Sequence, residues 1–271
     1  MTTSHGSYDP AYFATLYAIE DRHFWFRARN KVVAALVAQI AARLATGYRV
    51  LEIGCGSGNV LRVLERACPR GVVVGMDLFM EGLQYARQRT SCPLLQGDVH
   101  NPPFSTQFDL IGLFDVLEHL PDDLRVLRNL QAMLAPGGVL LLTVPAHRSL
   151  WSYFDEASRH CRRYELTELE EKLSRTGYRV EYVTPYMASI FLLVWLRRWL
   201  ARLKAQRPAS DTSTRHDLAV AELRIIPLFN ELLTLVLAAE ARIVSQRRRL
   251  PIGVSLLAVA RKHSASAGVT N

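Results

Sequence analysis

The sequence predicts an α/β fold: a mainly parallel sheet covered by helices on both faces. Three observations lead there. Short runs of continuous apolar character alternate with segments of helical periodicity, and strands that are apolar throughout, rather than at every second residue, are buried on both faces as in a parallel sheet. The first of these runs ends in a glycine-rich turn that opens onto a helical segment. With 271 residues, 49% of them hydrophobic and 21% charged, the chain can bury a full core and lies far from the compositions of disordered, collagen-like or low-complexity chains.

Residues 10–46 read as helical, with no internal Pro or Gly before Gly47. Strands are expected at 48–53, 71–77, 93–98, 108–115 and 138–145, separated by helical stretches such as NVLRVLERA and DDLRVLRNLQAML. Next, Thr167 and Glu170 form a Thr-x-x-Glu start and Gly177 a stop, the pattern of a capped helix. A sixth strand follows at 178–185, and GVSLLAVARK supplies the last near the C-terminus. Between those two, an insertion runs from Pro185 to Pro251. Its first helix carries Leu192, Trp195, Leu196, Trp199, Leu200 and Leu203 on one stripe, with Arg197, Arg198 and Arg202 elsewhere on the cylinder. Residues 205–216 read as a polar loop, and Leu218–Gln246 as a second helical region that Pro227 kinks or restarts. The tail HSASAGVTN is expected to fray. The domain expectation is therefore an N-terminal helical lid (1–47), a core (48–185 and 251–263) and an amphipathic helical insertion (186–250).

The net charge is +8, and residues 197–249 hold eleven Arg/Lys against five Asp/Glu, or +6 of it. Local basic charge beside apolar helices suits a membrane surface or an anionic substrate better than a nucleic-acid groove. Cys55, Cys68, Cys92 and Cys161 show neither C-x-x-C nor paired Cys/His spacing, so no metal site is expected and a reducing cytoplasm is the simplest setting. MTTSHGSYDP has no basic segment followed by an apolar one, as a secretory signal requires. The run suggesting a membrane span, Tyr186–Leu196, has eleven residues, against roughly 20 for a spanning helix. The expectation is a cytoplasmic protein with peripheral contact to the inner membrane surface.

The chemistry is concentrated in VLEIGCGSGNV, a buried strand leading into a turn with Gly54, Gly56 and Gly58 and then a helix. Glycines permit positive φ and close approach of a ligand, and the helix start offers free N–H groups. A dinucleotide fingerprint needs a third small residue where Asn59 stands, so NAD is disfavoured. Asp77 ends the second strand, nineteen residues after Gly58, and Asp98 closes the third in a Gly-Asp pair. Either carboxylate is placed to accept hydrogen bonds from a nucleoside or merely to cap a turn. Phe114 and Asp115 begin FDVLEHL, and LAPGG leads into the fifth strand.

In combination these motifs resemble the class I S-adenosylmethionine-dependent methyltransferases, in the branch similar to quinone-biosynthesis and small-molecule enzymes. The resemblance spans 48–185 and the last strand, about two thirds of the chain. It implies a Rossmann-like, doubly wound sheet of seven strands with the last one antiparallel, and S-adenosylmethionine as cofactor. It further implies that Glu52, Gly54, Cys55, Gly56 and Gly58 hold the methionine part, Asp77 with Leu78 the ribose, and Asp98 with Val99 the adenine. Phe114, Asp115, His119 and Arg29 complete the expected cofactor contacts, with HFWFRARN as a lid that brings Arg27 or Arg29 near the cofactor carboxylate. Aromatic residues at this spacing serve a plain core equally well.

Beyond the fifth strand, VPAHRSLWSYFDEASRHCRRYE is dense in polar groups, and loops at the carboxyl edge of such a sheet carry function. It resembles a G-H-x-R-R-Y segment of bacterial relatives, with Arg159 in place of Gly, which puts the local turn in question. The expected reaction is in-line methyl transfer to oxygen or carbon of a hydrophobic small molecule, an isoprenoid or a lipid-like acceptor. His160, His147 and His119, in that order, are candidates for the base, with Arg163 and Tyr164 beside them; a structural polar cluster is the alternative. Phe191, Trp195, Trp199, Phe229 and Leu233 are expected to wall the acceptor pocket. A competing reading is a non-catalytic, S-adenosylmethionine-binding scaffold at a membrane. No nucleic-acid partner is expected, since NPPF at 101–104 precedes the fourth strand instead of following it.

Overall fold

The structure, a computed structural model, describes residues 8–204 and 224–263. Seven strands form one sheet: β1 (Arg49–Ile53), β2 (Val72–Asp77), β3 (Leu94–Gln96), β4 (Phe108–Phe114), β5 (Leu134–Pro145), β6 (Tyr178–Tyr186) and β7 (Ser255–Lys262). Their order is β3-β2-β1-β4-β5-β7-β6. All neighbours are parallel except β7, which runs antiparallel between β5 and β6. The chain steps outward from β1 to β3 and then crosses back to β4. The crevice beyond the carboxyl ends of β1 and β4 is where such sheets bind ligands.

The pleat divides the side chains between two cores. Along β4, Leu110 joins one cluster while Ile111 and Leu113 join the other, as the two-residue repeat requires. The first face is covered by α2 (Phe24–Ala41), α3 (Leu61–Ala67) and α9 (Pro227–Ser245) through Val33, Leu36, Leu61, Leu64, Leu237 and Val244. The second is covered by α5 (Asp123–Met133) and α7 (Leu166–Arg175) through Val126, Leu127, Leu130, Leu169 and Leu173. Short α4 (Met80–Ala86) and α6 (Tyr153–Ala157) fill the remaining connections, and α1 (Tyr12–Ile19) with α8 (Phe191–Lys204) lie at the rim of the crevice.

Several local expectations need correction. The helical region 10–46 is broken between α1 and α2, because His23 is extended (ψ 132°) and its Nδ1 accepts from Trp25 N as an N-cap. Thr167 does not cap α7: it lies inside the first turn, and Glu165 holds the cap position without a side-chain bond. A true capping box occurs at α6, where Ser152 and Asp155 bond reciprocally. Pro227 stands in the first turn of α9, where a helix-starting proline belongs, and does not kink that helix. The loop 205–216, the helix start at Leu218 and the tail 264–271 lie outside the described residues.

The insertion is the main surprise. Leu192, Trp195, Leu196, Trp199 and Leu200, the apolar stripe of the amphipathic helix, are all exposed, and the two indoles stack at 6.3 Å facing outward. Leu203's side chain lies outside the described residues. On α9, Leu233, Leu237, Ala241 and Val244 are buried, while Leu228, Leu232 and Leu235 are exposed, Leu228 at 90%. The paired Glu240 oxygens accept from the N–H groups of Ala188 and Ser189 at 3.0 and 2.9 Å, fixing the turn that starts α8. No helix among the described residues is long and apolar enough to cross a membrane.

Candidate active site

A cavity of about 760 Å³ opens at the carboxyl ends of β1, β2 and β4. The glycine turn forms its floor. Gly54 (φ +69°) admits no Cβ, which would meet Val116 Cγ2 at 2.4 Å, and Gly56 (φ +49°) faces the cavity beneath Phe13. Gly58 does not line the cavity; its φ of +78° and a 2.9 Å approach to Ala86 Cα make it a packing glycine against α4. Asp77 Oδ2 accepts from Gly56 N at 2.7 Å and Oδ1 from Phe79 N at 2.9 Å. Burial pushes the Asp77 carboxyl up to about 6, with these two N–H bonds opposing it. Leu78, Asp98 and Val99 continue the wall; Asp98 Oδ1 accepts from His100 N at 2.9 Å, closing its own turn, and the carboxylate is half-exposed.

Deeper in, Glu52 is buried and its Oε2 has no hydrogen-bond partner. Burial raises its carboxyl well above the usual range, with Arg29 opposing the shift. Arg29, also buried, donates from Nη1 to Asp115 Oδ2 at 2.9 Å and from Nη2 to Asn59 at 3.3 Å, while its Nε has no partner. Asp115 holds a left-handed φ of +54° and accepts from Thr143 Oγ1 at 2.9 Å. Backbone strain of this kind in a non-glycine residue clusters at functional sites. An orphaned carboxylate oxygen and an orphaned guanidinium nitrogen beside a glycine cradle and a carboxylate-tipped strand fit a ligand with both an amino-acid and a nucleoside end.

The N-terminal segment closes over this end. Glu20 accepts from Ser57 Oγ and pairs with Arg89 at 2.5 Å, clamping the end of α1 to the glycine turn. Tyr8 packs on Phe13 at 5.2 Å and edge-on to His119 at 5.5 Å. From HFWFRARN, His23, Phe24, Trp25, Phe26 and Arg29 line the cavity, whereas Arg27 pairs with Glu231 of α9 outside it.

The other end is built by the β5–α7 connection. His160 Nδ1 lies 2.9 Å from Asp155 Oδ1, and Arg163 Nε donates to the same oxygen at 2.7 Å. Asp155 is fully buried; burial alone would raise its carboxyl, but the His160 bond and the Arg163 charge hold it down at about 2. Arg159 adopts φ +56°, so the turn keeps the conformation a glycine would take. His119, His160 and Arg163 line the cavity, but two candidates do not. His147 pairs with Glu165 at 3.2 Å away from the lining, and Tyr164 is wholly buried with its hydroxyl donating to Asp123 at 2.9 Å. None of Phe191, Trp195, Trp199, Phe229 or Leu233 walls the cavity; Ile190, Val194, Arg197 and Arg198 do. Residues for which the sequence suggested no role include Glu20, Asn59 and Glu118, and Asp155 stood only among the polar groups of its loop. Only Asp155 had a local signal, three residues after an N-cap Ser152.

Comparison with known proteins agrees with this geometry. Residues 25–183 match the family described as "Methyltransferase domain". A trans-aconitate 2-methyltransferase from Azoarcus sp. is 28% identical over 60% of this chain and 78% of its own. A ubiquinone biosynthesis O-methyltransferase from Haemophilus ducreyi is 31% identical over 40% of this chain, which spans about half (49%) of that relative's length. In fold, the chain resembles phosphoethanolamine N-methyltransferase 2 of Haemonchus contortus in complex with S-adenosyl-L-methionine: TM-score 0.53, 20% identity, over 85% of this chain and 52% of that one. The matched family covers more than half of the residues, and the chain belongs to it as an S-adenosylmethionine-dependent methyltransferase.

Proposed function

We propose that the protein transfers a methyl group to a hydrophobic or lipid-like small molecule, on oxygen or on an activated carbon. When bound, the cofactor supplies a methylsulfonium electrophile. In this reading Glu52, Arg29 and the Gly54–Gly56 turn bind its amino-acid end, Asp77 accepts from the ribose hydroxyls, and Asp98 with Val99 meets the adenine. Residues 1–47 act as the lid and 186–250 as the acceptor cap. The chain's main task is alignment, since orientation alone is worth roughly 7–11 kcal/mol of barrier. His160, held in one tautomer by Asp155, is the group in this cavity suited to take a proton from the acceptor.

The observation that carries the acceptor class is the outward apolar face of α8 and α9 behind a cavity wall, with Trp195, Trp199, Leu228 and Leu232 exposed. Aromatic and basic residues on such a helix suit the boundary of a bilayer, where an apolar acceptor resides. Arg197 and Arg198 lie on the cavity side of α8, with Arg198 paired to Asp155 at 3.7 Å. The similarity to a ubiquinone-biosynthesis enzyme supports the same class. The test is incubation with methyl-labelled cofactor and whole-cell extract, followed by organic extraction: label in the lipid phase is expected, and label confined to water-soluble products contradicts the reading.

A further inference from the structure

At the acceptor end of the cavity, three metal-ligating side chains converge from two separate loops. Glu118 and His119 lie on the short 3-10 turn after β4, and His160 on the turn after α6. One ligand atom from each lies within 4.8 Å of the other two. Glu118 is 1% exposed and its Oε2 has no hydrogen-bond partner, a costly state for a buried carboxyl. His160 directs Nδ1 to Asp155 Oδ1, an oxygen that also accepts from Arg163 Nε, so Nδ1 carries the proton and Nε2 keeps its lone pair. Ligating histidines are oriented in this way, through a carboxylate on the far nitrogen. The His119 ring stands edge-on to His160 at 4.7 Å between centroids.

We propose that Glu118, His119 and His160 bind a divalent transition-metal ion of the zinc class, whose open coordination position receives the acceptor's oxygen. Two imidazoles and one carboxylate select such an ion over magnesium or calcium, which prefer oxygen ligands. Three protein ligands also leave one position of a tetrahedron free, as catalytic zinc sites do. Bonds of about 2.0–2.1 Å place tetrahedral ligand atoms about 3.4 Å apart, so small side-chain rotations close the observed spacing. The cation supplies the partner that Glu118 Oε2 lacks.

The inference rests on the cavity being the acceptor site and narrows the acceptor to a hydroxyl compound. A hydroxyl held there releases its proton to water more readily. Its oxygen attacks the methyl carbon, the O–CH3 bond forms as the S–CH3 bond breaks, and the S–CH3 electron pair stays on sulfur, giving a neutral thioether and the methyl ether. His160 then acts as a ligand, and the ion takes over the task of making the acceptor acidic.

The test is titration of chelator-treated, full-length protein with Co²⁺, followed by visible absorption, with S-adenosylhomocysteine calorimetry on every sample as a check of fold. One equivalent of Co²⁺ with strong d–d bands, displaced by Zn²⁺, is expected. Glu118→Gln and His160→Ala should each weaken binding at least about 100-fold, and Asp155→Asn about 10–100-fold, the range for carboxylates behind a ligating histidine. Protein that binds S-adenosylhomocysteine but takes up no Co²⁺, or variants that bind Co²⁺ as tightly as the parent, overturns the proposal while leaving the cofactor site standing. Co²⁺ uptake with no label transferred to any hydroxyl compound contradicts the acceptor reading instead.

Discussion

Asp155→Asn should cost the fold about 3 kcal/mol at neutral pH. The carboxylate is fully buried and accepts from Arg163 Nε at 2.7 Å, from Ser152 N at 2.9 Å and from the His160 ring at 2.9 Å. The isosteric amide keeps the volume but leaves the Arg163 guanidinium, 5% exposed, without a counter-ion. Breaking a buried pair costs about 3–5 kcal/mol, and the Ala146 carbonyl, which still accepts from Arg163 Nη1 at 3.0 Å, argues for the lower end. With a urea m-value of about 3 kcal/mol/M for a chain of this size, the midpoint should fall by about 1 M. The pH dependence supplies a second arm. The folded carboxyl titrates at about 2, below its ordinary value of 3.8. Its stabilisation is therefore complete above that ordinary value and is lost as pH falls towards 2, so the gap between parent and variant should shrink by about 2 kcal/mol over that window. A loss under 1 kcal/mol at pH 7, or a gap that does not change on acidification, would refute the view of Asp155 as the ion-pair hub.

Gly58→Ala and Gly56→Ala should separate packing from binding. The first, at φ +78° and 2.9 Å from Ala86 Cα, should lower stability by at least about 2 kcal/mol in a denaturant melt. The second, on the cavity floor, should cost about 1 kcal/mol of stability but weaken S-adenosylhomocysteine binding at least about tenfold by calorimetry. Asp77 titrates at about 6 because it is buried, and ribose hydroxyls donate to the ionised form. Cofactor affinity should therefore rise as pH rises through 6, by about tenfold per unit below it, and Asp77→Asn should abolish that slope. Arg159→Gly relieves a left-handed backbone at φ +56° worth about 1 kcal/mol; its melting temperature should match or exceed the parent's, and a fall of more than about 4 °C contradicts this.

The strands were legible because each is a continuous apolar run between turn residues, and the glycine turn because only glycine tolerates its backbone. The break at Glu20–His23 was not, since it uses neither Gly nor Pro and depends on a histidine N-cap and on Glu20 reaching Arg89, 69 residues away. Periodicity found the stripe of α8 but left open whether it walls the acceptor pocket or faces outward. A helical pattern states which residues share a face, and only tertiary packing decides whether that face meets the core, and here it does not. His147 and Tyr164 read as catalytic beside His160 because residue type and loop position were the only guides. Their pairing with Glu165 and Asp123 is invisible along the chain. The Glu118, His119 and His160 cluster escaped for a related reason: Glu118 and His119 precede His160 by 42 and 41 residues and meet it only because β4 and β5 are adjacent in the sheet.

The most direct test of the account is a crystal structure of the protein with S-adenosylhomocysteine. The account predicts one nucleoside per chain across the ends of β1, β2 and β4, its ribose hydroxyls on Asp77 and its carboxylate towards Arg29. A well-ordered complex with the ligand elsewhere, or with Asp77 still bonded only to Gly56 and Phe79, would contradict it.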